Sequence, residues 1–242
     1  MLKTHGLAFL IATSATLLAG CGGGGSDSSG TPSPSPAPVP AAMSFPLQAG
    51  YQSRIKAGSN DDFTITGPCA GTANISNGAA SPIVFEGSSG FAATQSATFI
   101  LTNCTPAKTV LSGTSYFDAT YTPLGSSTTG AVYETFLTAP LAFAASVKVG
   151  DTATVATFTR YADSTKAVVT GQRVLSYVVE ADSANTAIVN LISKTYDTAT
   201  PAQLLITQQS RYRIAADGSL SIITIDNQFS TNSTDHYVYT KL

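Results

Sequence analysis

From about residue 152 to the end of the chain, apolar and polar residues alternate with a period of two, interrupted by short polar links. In segment 203–214, Leu204, Ile206, Tyr212 and Ile214 fall on one face, and Thr207, Gln209, Arg211 and Arg213 on the other. Successive side chains of a strand point to opposite sides, so this is the pattern of a half-buried β-strand. It predicts strands near 152–161, 167–180, 186–197, 203–214, 219–229 and 235–241. The links Ala162-Asp163-Ser164, Ala181-Asp182-Ser183, Asp197-Thr198 and Asp217-Gly218 carry tight-turn chemistry. An Asp carboxylate caps nearby backbone N–H groups, and Gly accepts positive φ. Long strands joined by so few residues must run antiparallel, so a meander is expected, with Val155, Leu175, Leu191, Ile206 and Ile222 contributing to a buried face. At roughly 10–14 residues these strands exceed the usual mode of about 5–6. Long twisted strands coil, and six or more curl toward a half-barrel or a closed barrel.

The first half is less regular. Alternation and β-branched residues predict strands near 51–56, 62–66, 71–76, 82–86, 92–102, 109–121 and 131–137. Leu111, Gly113, Ser115, Phe117, Ala119 and Tyr121 share a face opposite Ser112, Thr114, Tyr116, Asp118 and Thr120. From Phe45 onward no sustained helical repeat is visible, and no helix is expected. The fold class is all-β: an antiparallel meander forming a curled half-barrel, barrel or sandwich over 45–242. Two β sub-regions, 45–145 and 146–242, are an alternative division.

Ahead of the strands the composition changes. Residues 22–42 run through four glycines and a Ser-rich stretch into Pro-Ser-Pro-Ser-Pro-Ala-Pro-Val-Pro. The first part has nothing to bury and the second favours extended polyproline II, so 21–44 reads as a disordered Gly/Ser/Pro tether. Before it lie Lys3 and a hydrophobic stretch from Gly6 to Leu18, the layout of a secretory signal over 1–20 and too short for a spanning helix. The stretch closes on Leu18-Ala19-Gly20-Cys21, which resembles the lipobox of bacterial lipoproteins. The resemblance implies that Cys21 carries a thioether-linked diacylglycerol and becomes the first residue of the mature chain. Gly22 behind it, rather than Asp, is compatible with outer-membrane sorting in that family pattern. The implied location is the cell envelope of a Gram-negative bacterium, at the outer membrane, with the membrane as a partner through the N-terminal lipid.

Once Cys21 is so assigned, Cys69 and Cys104 remain as an even pair in an oxidising compartment, and a disulfide between them is expected. Their spacing is not the Cys-x-x-Cys of a redox centre. Formal net charge is -2 and no Lys/Arg cluster exists, so nucleic-acid binding has no electrostatic footprint. A continuous lipid-facing band of a membrane-spanning barrel is broken by Arg160, Arg173, Lys194, Arg211 and Arg213.

Catalytic signals are sparse. Of two histidines, His5 lies in the leader, and His236 adjoins Asp235, which a strand would turn to the opposite face. Gly87-Ser88-Ser89-Gly90 lacks the spacing of a nucleophile elbow. Glu86, Glu134 and Glu180 sit in or at the ends of strands, and nothing in sequence pairs any two of them for glycoside chemistry. Asn60-Asp61-Asp62 lacks EF-hand spacing, and Gly22 to Gly25 precede no strand–helix unit. No catalytic residue, metal ligand or cofactor is assigned. Ten tyrosines, among them Tyr161, Tyr177, Tyr196 and Tyr212 near equivalent ends of successive strands, suit an aromatic-lined concave face. The expectation is a non-enzymatic binding module, a carrier of an apolar ligand. A structural or adhesion module with an unknown surface partner is the alternative, and a hydrolase the third reading.

Two or three acyl chains hold a protein stably where one is marginal, each buried CH₂ adding about 0.8 kcal/mol. Cys21→Ser is therefore expected to move the protein from the membrane pellet to the soluble fraction. Persistence in the pellet after a salt wash would contradict lipid anchoring.

Overall fold

Strands in the second half form where the alternation places them, and the first half closes them into a ring. A computed structural model describes residues 43–102, 104–130, 132–230 and 235–242. The expected signal segment, Leu18-Ala19-Gly20-Cys21 and all but the last two residues of the tether lie outside the described residues. In chain order the elements are α1 (Leu47–Ala57), β1 (Ser59–Thr66), β2 (Ala70–Asn77), β3 (Ser81–Phe85), β4 (Ser88–Thr102), β5 (Lys108–Phe117), β6 (Pro123–Thr128) and β7 (Val132–Phe136). They continue with β8 (Thr152–Tyr161), β9 (Val169–Ala181), β10 (Thr186–Tyr196), β11 (Leu204–Ala215), β12 (Leu220–Phe229) and β13 (His236–Lys241).

From β4 to β13 the strands pair successively as an antiparallel meander. β13 then pairs with β1, β1 with β2, and β2 with the second half of β4. The result is a closed twelve-stranded barrel, with β3 as an extra strand on the first five residues of β4. Closure leaves little free backbone edge, which only barrels achieve.

Register defines the two faces. Phe63, Ile65, Tyr239, Ile225, Ser210, Leu191 and Tyr177 lie on one side of their ladders and form the inside. The outside carries Asn60, Asp62, Thr64 and Thr66 on β1, all exposed, and Thr207, Gln209, Arg211 and Arg213 on β11. Of the five basic residues that break a lipid-facing band, Lys194, Arg211 and Arg213 stand outside, whereas Arg160 and Arg173 point inward. The inside thus combines apolar side chains with polar and charged ones, and the outer face of β1 and β11 is polar.

Two apolar clusters fill the inside. One gathers Phe45, Leu47, Phe143, Val147, Phe158 and Val189, and the other Phe63, Ile65, Phe99, Ile222, Ile225 and Tyr239. Val155, Leu175, Leu191 and Ile222 are buried as expected, whereas Ile206 is half-buried.

Three segments depart from the sequence expectation. Residues 51–56 are helical, not extended. Leu47, Tyr51 and Ile55 recur every four residues, a spacing that satisfies both strand alternation and one helix face. The missing signal was length, because only eleven residues follow Pro46 before Gly58 turns the chain at φ 73. The strand expected over 109–121 ends at Phe117, because the Asp118 carboxylate accepts from the Thr120 and Thr122 backbone N–H groups at 2.7 and 2.9 Å and folds a turn there. β6 was not expected, since Pro123 and Gly125 disguise it.

The Cys69–Cys104 disulfide is formed and joins the β1–β2 turn to the β4–β5 loop across a separation of 35 residues. Its chain-entropy contribution is roughly 3–4 kcal/mol. Cys69→Ala with Cys104→Ala is expected to lower stability by about that amount in urea unfolding, with the far-ultraviolet β signature retained. Free thiols in freshly isolated protein would contradict the bond.

Candidate functional site

The helix α1 spans one mouth of the barrel. Its Gln52 donates to the Thr120 carbonyl at 2.8 Å, and Tyr51 packs on Phe143 with ring centroids 4.4 Å apart. Gly50 lies so close to the Gly218 carbonyl in the β11–β12 turn that a Cβ would collide with it. The Phe45 and Val147 backbones bond reciprocally at 2.8 and 2.9 Å, which ties the approach to α1 onto the β7–β8 loop. Beneath this roof the barrel holds a cavity of about 380 Å³.

The apolar lining comes from all round the ring: Phe63, Ile75, Leu111, Leu175, Leu191 and Ile222. Facing into the same space are Ser115, Ser126, Ser193 and Ser210, together with two charged clusters. Each cluster sets one carboxylate against two cations. Glu134 on β7 accepts from Arg160 Nε at 3.1 Å and Arg173 Nε at 2.8 Å, with Arg173 Nη2 at 2.7 Å. The Ser126 hydroxyl adds a bond at 2.8 Å, and Arg173 Nη1 donates to Ser193 Oγ at 3.2 Å. The Arg173 guanidinium also lies 4.1 Å from the centre of the Phe158 ring, a cation–π contact. In the second cluster Asp61 on β1 accepts from Arg54 of α1 at 2.6 Å and from Lys241 of β13. Arg54 lies over the Tyr212 ring at 5.4 Å.

Burial pushes the Glu134 carboxyl up, but Arg173, Arg160 and Ser126 outweigh it and hold the group below the usual carboxylate range. Asp61 behaves alike: burial raises it, and bonds from Lys241 and Arg54 bring it below its ordinary value. Both lumenal carboxylates are therefore ionised at neutral pH. A general acid for glycoside cleavage needs the opposite shift.

The residues singled out from sequence scatter. Glu134 enters the lumen, while Glu180 sits on the outer wall with Asn190 and Arg211. Glu86, at the β3–β4 turn, accepts from the Tyr133 hydroxyl at 2.6 Å and pairs with Lys166 at 2.5 Å. Asn60 and Asp62 point away from Asp61 and accept from Asn74 outside, at 3.0 and 2.8 Å. His236 pairs with Asp226 at 2.9 Å on the exposed wall. Among the described residues no three His, Cys, Asp or Glu side chains are placed to hold a metal. The tyrosine row is corrected: antiparallel running puts Tyr177 and Tyr212 inside toward the α1 end, and Tyr161 and Tyr196 at the opposite end. Only Tyr212 of the four lines the cavity.

Sequence reasoning passed over Arg54, Asp61, Arg160 and Arg173 as lining groups of the cavity, and the exposed Lys241 as the partner of Asp61. The signal was parity. Arg160 shares a face with Phe158, Arg173 with Leu175, Asp61 with Phe63 and Lys241 with Tyr239, so each is a charge on an apolar stripe.

No protein-family model matches this chain, and no curated protein or solved structure matches it.

Removing one partner of a buried ion cluster strands the others at a cost of about 3–5 kcal/mol. Glu134→Gln is expected to destabilise the fold by that order at neutral pH in urea unfolding. Because the folded pKa of Glu134 is depressed, its contribution is full above the ordinary carboxylate value and fades as pH falls through the folded one. The difference between wild type and Glu134→Gln should therefore shrink on acidification. A difference constant down to strong acid would contradict the pairing.

Proposed function

We propose that this protein is a non-enzymatic binding module of the Gram-negative cell envelope, anchored through a lipid on Cys21, which holds a small apolar ligand in its barrel. The observation that carries this reading is the roofed cavity of about 380 Å³, whose lining includes Phe63, Leu175, Leu191 and Ile222. Small-molecule sites are typically concave, largely apolar and equipped with a few fixed polar groups, in volumes of roughly 300–1,000 Å³. The lumen has each of these properties. The depressed pKa values of Asp61 and Glu134 speak for binding over acid–base hydrolysis. The lipidated tether would hold the barrel away from the membrane surface, and α1 would be the element that a ligand passes.

A structural or adhesion role draws on a separate observation. Strand β3 pairs on one side with β4 and exposes Ile83 and Val84, an edge that a partner strand could extend.

N-phenylnaphthylamine, a neutral apolar fluorophore, tests the lumen reading directly, because the chain contains no Trp to compete with its signal. Wild type is expected to bind it saturably. Ser210→Phe, which projects a ring into the cavity, is expected to abolish binding while keeping the fold. Absence of saturable binding by wild type would overturn the carrier reading and leave the edge of β3 as the functional surface.

A further inference from the structure

Resting on the reading of the lumen as a ligand site, we propose that the ligand is a single-chain amphiphile with a carboxylate head, and that Arg160 and Arg173 form its head-group site. Two guanidiniums share one carboxylate in the Glu134 cluster, which leaves one positive charge in excess. Arg160 is 7% exposed and engages Glu134 through Nε, while its terminal nitrogens have no acceptor among the described residues. Both guanidiniums border the cavity. The other lumenal carboxylate cannot supply the missing charge, because Asp61 already serves both Arg54 and Lys241. A buried charge is tolerated only when paired, and a monoanion entering beside Arg160 would complete the balance. A dianionic phosphate would overshoot that excess, a cation would be repelled, and a neutral head would leave it standing.

The remainder of the ligand follows from the apolar part of the lining, which begins beside the guanidiniums at Leu175. Leu111, Leu175, Leu191 and Ile222 line the same space and would bury a hydrocarbon tail against them. A water occupies about 30 Å³ in the liquid, so the cavity takes the place of roughly a dozen waters. That space suits one medium acyl chain and excludes a diacyl lipid. The head group bonds to a planar fork, for which Arg is better shaped than Lys.

Calorimetric titration of decanoate, decanol and decyltrimethylammonium into the full chain, in the soluble form given by Cys21→Ser, tests the assignment. Decanoate should bind roughly 10-fold or more tightly than decanol, since a hydrogen bond to a charged group is worth that much. The cation should bind weakest. Arg160→Gln leaves Glu134 paired with Arg173 and should bring decanoate down to the decanol level, with decanol unchanged. Should that variant fail to fold, ¹³C-carboxyl decanoate on the unsubstituted lumen decides: the bound carboxyl should titrate below the free acid. Equal affinities for decanoate and decanol, or a bound carboxyl titrating at or above the free value, would overturn the head-group site while leaving the lumen a ligand site. Failure of decanoate, decanol and N-phenylnaphthylamine alike would overturn both.

Discussion

A sheet closed on twelve strands encloses more space than its own inward side chains can fill. Eight strands leave an interior just wide enough for side chains, and the diameter grows with each further pair. Once β13 pairs with β1 and β2 with β4, the interior has to be occupied by something other than strand residues. Here the fillers are Phe45 and Leu47 at the start of α1, the helix itself, and Phe143 and Val147 of the β7–β8 loop. They complete one apolar cluster near the α1 mouth, and the opposite cluster under Phe99 and Tyr239 completes the other. The cavity is the part of the ring that neither reaches. Its position under α1 is thus a consequence of strand number and of where the filler segments enter.

That constraint explains which parts of the molecule were legible in the sequence. Six strands between residues 152 and 241 appear within two residues of the alternation's boundaries, because most have one face turned to the lumen and one to a polar outer wall, although β10 is buried along both faces. The Asp-centred links are as visible: the Asp163, Asp197 and Asp217 carboxylates accept from backbone N–H groups two residues further on. Helix α1 was illegible for the complementary reason. Its exposed positions, Ala49, Ser53, Lys56 and Ala57, include two alanines, and its covered positions include Arg54, so its eleven residues carry no clear apolar stripe backed by a polar one. Leu47 and Gly50 are buried, yet Tyr51, Arg54 and Ile55 face the cavity with mixed chemistry.

The candidate site was legible only in fragments. Each lumenal charge on a strand stands at a position where a Leu or Phe would be expected, and a lone strand says nothing about whether a partner lies opposite. Glu134 and Arg160 come together because β7 and β8 pair in register at those two residues. Arg173 reaches the same carboxylate from β9 after the bulge at Thr154/Ala156 has shifted the β8–β9 register. A one-residue slip at either point would turn a member of the cluster outward. Asp61 and Lys241 are separated by 180 positions and meet only because the chain's last strand returns beside its first.

Burying these groups is costly, and that cost bears on what the lumen is for. A barrel needing only to be filled would be served as well by apolar residues at Glu134, Arg160 and Arg173, since replacing a buried ion cluster with packed hydrocarbon is often neutral or stabilising. Twelve strands with an unfilled interior and two carboxylates facing four cations are an expensive way to build a spacer or an inert plug. The same parts make sense together in a receptor. On the proposed reading the ring would supply volume, the apolar lining affinity without direction, and the clusters direction, because their strand members are held by β-ladders rather than loops. The two clusters also divide the labour by location. The Asp61 cluster joins α1 to β1 and β13 and so fastens the roof to the wall, while the Glu134 cluster lies wholly within the wall and leaves its guanidiniums facing the space.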